Sequence, residues 1–516
     1  MKLKRKPLVS QGSLSRMLQA AEQAWKAKDF QTNIELLERA SRFDPANSGI
    51  LLQLGRMHGL RYDYASAERC FERAVGVAPQ KTEALALAGI NSRDFRNPEI
   101  AVRYFQRAVA QKNAAPEMLA DLAELYERLR RVEDADQLIE RALQLSGSCA
   151  LALLGRARLD RQRGHLDKAE KLLRAFPADA DRIIRVRARY ELGGILDRQG
   201  RYDEAMTAFL EAKAILKPDA ALFAADLSTL HARLKTLAES FSTDIFQRWF
   251  DFGQNLQPPR RLALLGGHPR SGTTLLEQVL DSHPDIVSAE ETEIFHDESY
   301  LQLTRDLPPN ALMLPVLEAA PAAALQQARA TYFRFMELSL GQPIGERLLI
   351  DKNPSLTFLI PALIRVFPEI KLLVTLRDPR DVCLSCFMQP FFQLGQTNSA
   401  YLTLEGTAEE YLSVMGVWRA IAPLMKNPFL EVRYEDMVDD LEAVARRTLD
   451  FLGVPWDAKV LGFDEHARQK VVRSPTYADV AKPVFKTAVG RWRNYQKYLE
   501  PHLSKLEPFA KAFGYE

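Results

Sequence analysis

Apolar positions in the first 220 residues follow a helical period nested inside a longer one. A small residue, a large apolar residue four positions on and an alanine three beyond give Ala67/Phe71/Ala74, Ala101/Phe105/Ala108 and Ala135/Ile139/Ala142. Asn33/Leu37/Ala40 and Ala169/Leu173/Phe176 extend the series as degenerate units. The anchors at 33, 67, 101, 135 and 169 are each 34 residues apart, and Ala205/Phe209/Ala212 arrives two residues late. Positions i, i+4 and i+7 share one helical face, so each trio predicts a helix buried along one stripe. Pro45, Pro79, Pro177 and Pro218 punctuate unit ends, and Gly59, Gly164 and Gly200 are predicted in the turns. After Gln257-Pro258-Pro259-Arg260 the pattern changes. Short apolar runs at Leu262–Leu265, Leu348–Ile350, Lys371–Leu376 and Phe429–Val432 predict strands, with helical patterns between them. That alternation predicts an α/β domain built on a parallel sheet.

The 34-residue unit resembles the tetratricopeptide repeat, a helix–turn–helix that stacks into a right-handed superhelix. Five anchors in strict register argue against a generic helical bundle. The sequence thus divides into a tail over 1–13, about six repeats over 14–219, a helical cap and linker over 220–259, and a second domain over 260–516. The repeat resemblance implies a concave groove that commonly holds a peptide, and no chemistry.

Composition narrows the function classes. Hydrophobic content of 47% and charged content of 26% are those of an ordinary globular protein. A net charge of +2 gives no reason to expect nucleic acid. Four cysteines are too few for a disulfide scaffold and suit a reducing compartment, with the cytoplasm as default. Cys383 and Cys386 form a C-x-x-C without a second pair or a nearby histidine, which favours buried small residues on a helix over zinc. The basic N-terminus lacks the apolar core of a secretory signal, and no run of 18 apolar residues predicts a membrane span.

The chemistry concentrates in LALLGGHPRSGTTLLEQVL, residues 262–280. An apolar strand, a glycine break and Pro269-Arg270-Ser271-Gly272-Thr273-Thr274 open a helix whose apolar side carries Leu275, Leu276, Val279 and Leu280. Free backbone N–H groups, the helix dipole, hydroxyls and a guanidinium converge there on an anion. Two further strands end in Asp351-Lys352-Asn353-Pro354 and in Arg377-Asp378-Pro379-Arg380-Asp381. Open parallel sheets bind ligands at such carboxyl ends. Gly267 and Gly272 fit the P-loop spacing, but Thr273 stands where that motif has lysine and Arg270 lies inside the loop, which weakens ATP chemistry.

PRSGTTLLEQVLDSHPDIVSAEET resembles the phosphosulfate loop and following strand of the Golgi tyrosylprotein sulfotransferases. It is similar also to bacterial proteins that fuse tetratricopeptide repeats to a sulfotransferase, and the likeness covers about Arg261–Tyr515. The resemblance implies 3′-phosphoadenosine-5′-phosphosulfate as donor, adenosine 3′,5′-bisphosphate as product, a hydroxyl acceptor and no metal. It implies that Arg270, Ser271, Gly272, Thr273 and Thr274 cradle the 5′-phosphate and sulfate, and that Arg377 with Ser385 holds the 3′-phosphate. Glu291 falls on the general base and Lys352 on the lysine that stabilises the transferred group. Ser474 and Arg491 match contacts in the segment closing over the nucleotide, with one residue more between Arg473-Ser474 and Gly490-Arg491-Trp492 than the family spacing. Sulfuryl transfer, like phosphoryl transfer, is driven mainly by positioning and positive charge.

Each role has a competing reading. Arg377 and Asp378 could pair with one another, Glu290 could be the base, and Lys352 could be a surface lysine. His268, His283 and His296 invite comparison with histidine bases, and Tyr434 and Trp492 with core aromatics. The acceptor stays open between tyrosine in a peptide and a carbohydrate, lipid or small phenol. The repeats could hold substrate, a partner or a second subunit in a homodimer. A P-loop kinase and a repeat scaffold with an inert catalytic domain are the alternatives of other classes.

Overall fold

The computed structural model describes residues 11–253, 255–256, 258–305, 307–308, 311–391, 394–469 and 487–515. The chain forms two compact units, Met1–Pro177 and Ala178–Glu516.

The first unit is a series of antiparallel helix pairs: Gln11–Lys26 with Phe30–Phe43, Ser48–Leu60 with Tyr64–Val77, Lys81–Ser92 with Pro98–Val109, Pro116–Arg128 with Val132–Leu145, and Ala150–Gln162 with Leu166–Arg174. The repeating trios lie on the second helix of each pair and are fully buried, except Phe176, which is half-buried and falls beyond the end of the helix Leu166–Arg174. Burying a Phe71 or Phe105 contributes about 1.5–3 kcal/mol. The facing helix must come close. A Cβ on Gly55 would meet Phe71 at 2.6 Å, and one on Gly89 would meet Phe105 at 2.7 Å. The turns inside the pairs repeat as well, with positive φ at Lys28, Tyr62, Arg130 and Gly164. Gly59 departs from its predicted turn. It lies in the helix Ser48–Leu60, where a side chain would strike Phe95, and Tyr62 takes the left-handed turn position instead. The first helices of three successive pairs line a groove of about 380 Å³ that includes Glu22, Trp25, Leu52, Arg56, Met57 and Leu87.

The second unit starts with one more pair of the same kind, Arg182–Arg198 and Tyr202–Ala220, with Pro218 inside the last turn rather than beyond it. The pair's contacts explain its place in this unit. Lys213 donates to the carbonyl of Tyr401 (2.6 Å), and Asp197 takes both Arg491 and the hydroxyl of Tyr495 (2.7 Å each). Two helices, Ala224–Ser240 and Thr243–Gly253, lead to a five-stranded parallel sheet.

The sheet comprises β1 (Leu262–Gly267), β2 (Ile286–Glu290), β3 (Leu348–Lys352), β4 (Lys371–Leu376) and β5 (Phe429–Arg433) in the order β2-β3-β1-β4-β5. All four ladders are parallel. Four strands match the predicted apolar runs, and β2 adds an edge strand within the segment that resembles a loop and following strand. β1 is buried throughout, as a central parallel strand must be. The helix Thr273–Asp281 packs Leu276, Val279 and Leu280 against Ala263, Leu265, Ile350 and Leu373. Among the described residues no helix is long and apolar enough to cross a membrane.

Candidate active site

β1 sits between β3 and β4; the chain leaves β1 toward β2 on one side and leaves β4 toward β5 on the other, which opens a crevice at the carboxyl ends of β1 and β4. The loop His268–Gly272 fills that position. Gly267 has φ +123, and a Cβ there would lie 2.4 Å from the carbonyl oxygen of Thr375. Gly272, at φ +102, caps the following helix, and a Cβ would meet Tyr434 at 2.7 Å. Both positions therefore require glycine. The first-turn amides of the helix Thr273–Asp281 have no acceptor within the helix and form the anion-attracting end. Thr273 and Thr274 are buried in that turn.

Ser271 shapes the loop. Its hydroxyl donates to the carbonyl of His268 (2.7 Å) and lies 2.6 Å from the Thr375 hydroxyl, and its backbone amide also reaches the His268 carbonyl (3.2 Å). Arg270 is held with φ +74, and its Nε donates to the Ser385 hydroxyl at 3.1 Å. Arg377, just past β4, donates to the carbonyl of Arg270 (3.2 Å) and to that of Ala488, and stacks on Tyr434 at 4.8 Å. Arg270, Arg377 and Ser385 are thus brought together. The pairing of Arg377 with Asp378 does not form. Asp378 caps the helix Pro379–Phe387 and binds Arg380 through both oxygens (2.8 and 2.7 Å). The nearest carboxylate to Arg377 is Asp381, at 3.9 Å.

On the other flank, Glu290 ends β2 in register with Lys352 at the end of β3. The Lys352 ammonium is fully buried. It meets Glu291 at 2.7 Å, and Glu290 and Glu277 at 3.5 Å each. Burial alone would lower its pKa, but Glu277, Glu291 and Glu290 outweigh burial and raise it, so the group stays protonated. Lys352 is therefore no surface lysine. Of the carboxylates, Glu290 is buried while the Glu291 side chain is 45% exposed. Glu291 has φ +46 and donates its amide to the carbonyl of Lys352 (2.7 Å). Among the described non-glycine residues of the second unit, only Arg270 and Glu291 have positive φ. Such backbone costs about 1–3 kcal/mol per residue and concentrates at functional sites.

The histidines occupy other roles. His268 is buried beside Tyr401 and Tyr411, bonds the carbonyl of Pro269 (2.9 Å), and is kept below its usual pKa by burial. His283 bridges the carbonyl of Pro455 and the amide of Asp285. His296 bonds Asp297 at 2.7 Å; with Glu293 these three place ligand-type atoms within 4.8 Å of one another, a grouping not apparent from spacing. Cys383 and Cys386 are free and fully buried, and burial pushes the Cys386 thiol up to about 12.

The segment after residue 486 reaches the β4 flank through Asp381, whose carboxylate accepts from the amides of Gly490 and Trp492 (2.7 Å each). Burial raises the Asp381 pKa, while Arg377 and these amides oppose the rise. Arg491 itself pairs with Asp197 (2.7 Å) and contacts the Met388 sulfur (3.4 Å). Ser474 lies outside the described residues. Sequence reasoning missed Glu277 and Asp381. Glu277 carried no role in the sequence and Asp381 only a place in the charged strand end, yet both are buried.

Residues 263–458 match the sulfotransferase family model, and residues 87–148 and 154–221 match a tetratricopeptide-repeat model. The chain contains a sulfotransferase domain and tetratricopeptide repeats. It is 28% identical over 321 residues to the protein-tyrosine sulfotransferase of Drosophila melanogaster, covering 60% of this chain and 62% of that protein. It is 23% identical over 403 residues to an uncharacterised protein of Aquifex aeolicus, covering 76% of this chain and 50% of the other. The match thus spans between half and two thirds of these relatives. Among solved structures, the sulfotransferase domain of the Synechococcus olefin synthase aligns with a TM-score of 0.36 and 24% identity, covering 50% of this chain and 96% of that domain.

Proposed function

We propose that the sulfotransferase domain transfers a sulfuryl group from 3′-phosphoadenosine-5′-phosphosulfate to a hydroxyl acceptor. The observation that carries this reading is the Glu291–Lys352 pair, a solvent-reached carboxylate on a buried ammonium at the sheet edge that also presents the anion loop. A fit to the nucleotide has its own support. Arg377 Nε is buried and has no hydrogen-bond partner, beside Arg270 and Ser385, where an anion would complete it. Arg377 and Ser385 would hold the 3′-phosphate; Arg270, Gly272, Thr273 and Thr274 the phosphosulfate end. Ser271 would act through its loop hydrogen bonds, and Ser474 and Arg491 belong to the proposed closing segment.

When bound, the donor supplies an activated sulfuryl group that needs no further activation. Glu291 accepts the acceptor's proton, a contribution of about 10²–10⁴-fold for a well-placed base. Lys352 and Arg270 offset the negative charge that grows on the oxygen of the departing phosphate. The helix N-terminus orients the reacting group.

Tyrosine in a peptide is the acceptor we favour. The carboxylate base, the Drosophila relative and the repeats, a scaffold class with a concave binding surface, all support it. For function we divide the chain into repeats over 14–219, a cap over 220–259 and the catalytic domain over 260–516.

Mass spectrometry of tyrosine peptides, carbohydrates and phenols incubated with enzyme and donor tests the reading, the expected result being gain of one sulfuryl group. Glu291→Ala should abolish that gain and keep nucleotide binding; loss of both would remove Glu291 from the role of base. Stabilisation by ATP with magnesium and not by the sulfate donor would point to a kinase, and nucleotide binding without turnover on any acceptor to a scaffold.

A further inference from the structure

Three carboxylates surround Lys352, and the proposed reaction uses only one of them. Glu277 lies on the helix Thr273–Asp281, one turn beyond Thr273, and is as completely buried as the lysine it faces. Its other oxygen accepts from the Ser288 hydroxyl (2.7 Å) on β2. The Ser288 amide in turn donates to Asp281 (2.7 Å), which holds His466 at 2.9 Å. Glu277 is therefore fixed from both sides. Glu291 differs, being 45% exposed at the end of the strand.

The difference matters at the moment of reaction. A lysine that stabilises a transferring group must turn its charge toward that group, and a carboxylate that takes a proton must be free to meet the acceptor. Neither is achieved while the two are bonded only to each other. A buried ammonium that lost its single partner would also tend to lose its proton. Buried carboxylates that do not leave solve both problems.

We propose that Glu277 is a positioning residue for Lys352: together with Glu290 it keeps the ammonium charged and in place, so that Glu291 can leave the lysine and act as base. This rests on the proposed sulfuryl-transfer reading. Glu277 touches neither substrate in this account and works only through Lys352. The charged groups that face Lys352 are Glu277 from the helix and Glu290 and Glu291 from the end of β2. Asp351, its neighbour on β3, is directed to the hydroxyl of Tyr332 (2.9 Å).

The test follows the lysine itself. Lysines of the full chain are labelled with ¹³C and ¹⁵N, and the Lys352 signal is assigned by its disappearance in Lys352→Arg. The expected result is a wild-type signal that stays in the ammonium form through pH 10. In Glu277→Gln its titration should fall by about one pH unit or more, and Glu277→Asp should recover most of the shift. Should Glu277→Gln fail to fold, Ser288→Ala, which frees one oxygen of Glu277, should show a smaller shift in the same direction. The alkaline limb of the turnover–pH profile should move down in step with the shift while affinity for adenosine 3′,5′-bisphosphate is unchanged, a separation that general destabilisation would not give. An unaltered Lys352 titration in folded Glu277→Gln, or an equal loss of nucleotide affinity, overturns the proposal. Failure of the wild type to bind the nucleotide would instead overturn the parent reading, which the lysine titration does not probe.

Discussion

Two lysines of the second unit are almost completely buried, and they meet opposite surroundings. Lys352, at the carboxyl end of β3, faces Glu277, Glu290 and Glu291. Lys213, on the helix Tyr202–Ala220, has one backbone carbonyl, that of Tyr401, and the rings of Phe387 and Tyr190 at 4.4 and 5.4 Å. Burial pushes Lys213 down to about 7, where much of it is neutral, whereas the carboxylates hold Lys352 above its ordinary value. Burial of a lysine by itself therefore marks no active site. A cation held charged by three buried or half-buried carboxylates is what the proposed site requires, and it is a costly way to fill a core position.

Replacing each lysine should separate the two cases. Lys352→Met leaves three carboxylates without their cation. It should destabilise the domain by about 3–5 kcal/mol in urea unfolding. Turnover should fall by about 10²–10³-fold. A loss of stability without loss of turnover would make Lys352 a structural residue. Its penalty should be flat between pH 7 and 9: a raised lysine pKa gives stability that is complete below the ordinary value near ~10.4 and is lost only above it.

Lys213 carries the opposite sign. Its folded pKa is lowered, so between about 7 and ~10.4 the unfolded chain binds a proton that the folded chain does not, and raising pH stabilises the fold. Lys213→Met should thus be relatively most favourable near pH 7. Its stability measured against wild type should fall by about 1.4 kcal/mol per pH unit on going to pH 9. A difference independent of pH would show that Lys213 is charged in the folded protein, and the contrast with Lys352 would collapse.

The parts of this molecule that the sequence disclosed are those built from local rules. The 34-residue spacing survives because each helix pair needs the same buried trio, and the strands β1, β3, β4 and β5 are legible as apolar runs of the right length. The loop from His268 to Thr274 was readable because glycine and proline fix backbone before any packing is known. Electrostatic partners were not readable. Glu277 follows Leu275 and Leu276 as a surface glutamate would, yet the helix is covered on that side by β2 and β3. Arg491 matches a nucleotide contact by position, while its partner here, Asp197, lies almost 300 residues earlier in the chain. Gly59 looked like a turn glycine because it ends a helix, but what it answers to is the ring of Phe95. Charge pairs and close approaches are set by tertiary packing, which spacing alone does not encode.

The proposed nucleotide site lies at the sheet edge that holds Lys352 and Arg377, and its ligand carries phosphate at both ends of its ribose. Calorimetric titration with adenosine 3′,5′-bisphosphate, comparing wild type with Arg377→Ala, is the decisive experiment. The expected result is saturable binding to wild type, weakened about 10- to 100-fold in the variant by loss of a charge-assisted contact, with both proteins folded. No heat of binding in wild type, or equal affinity in the two proteins, would contradict it.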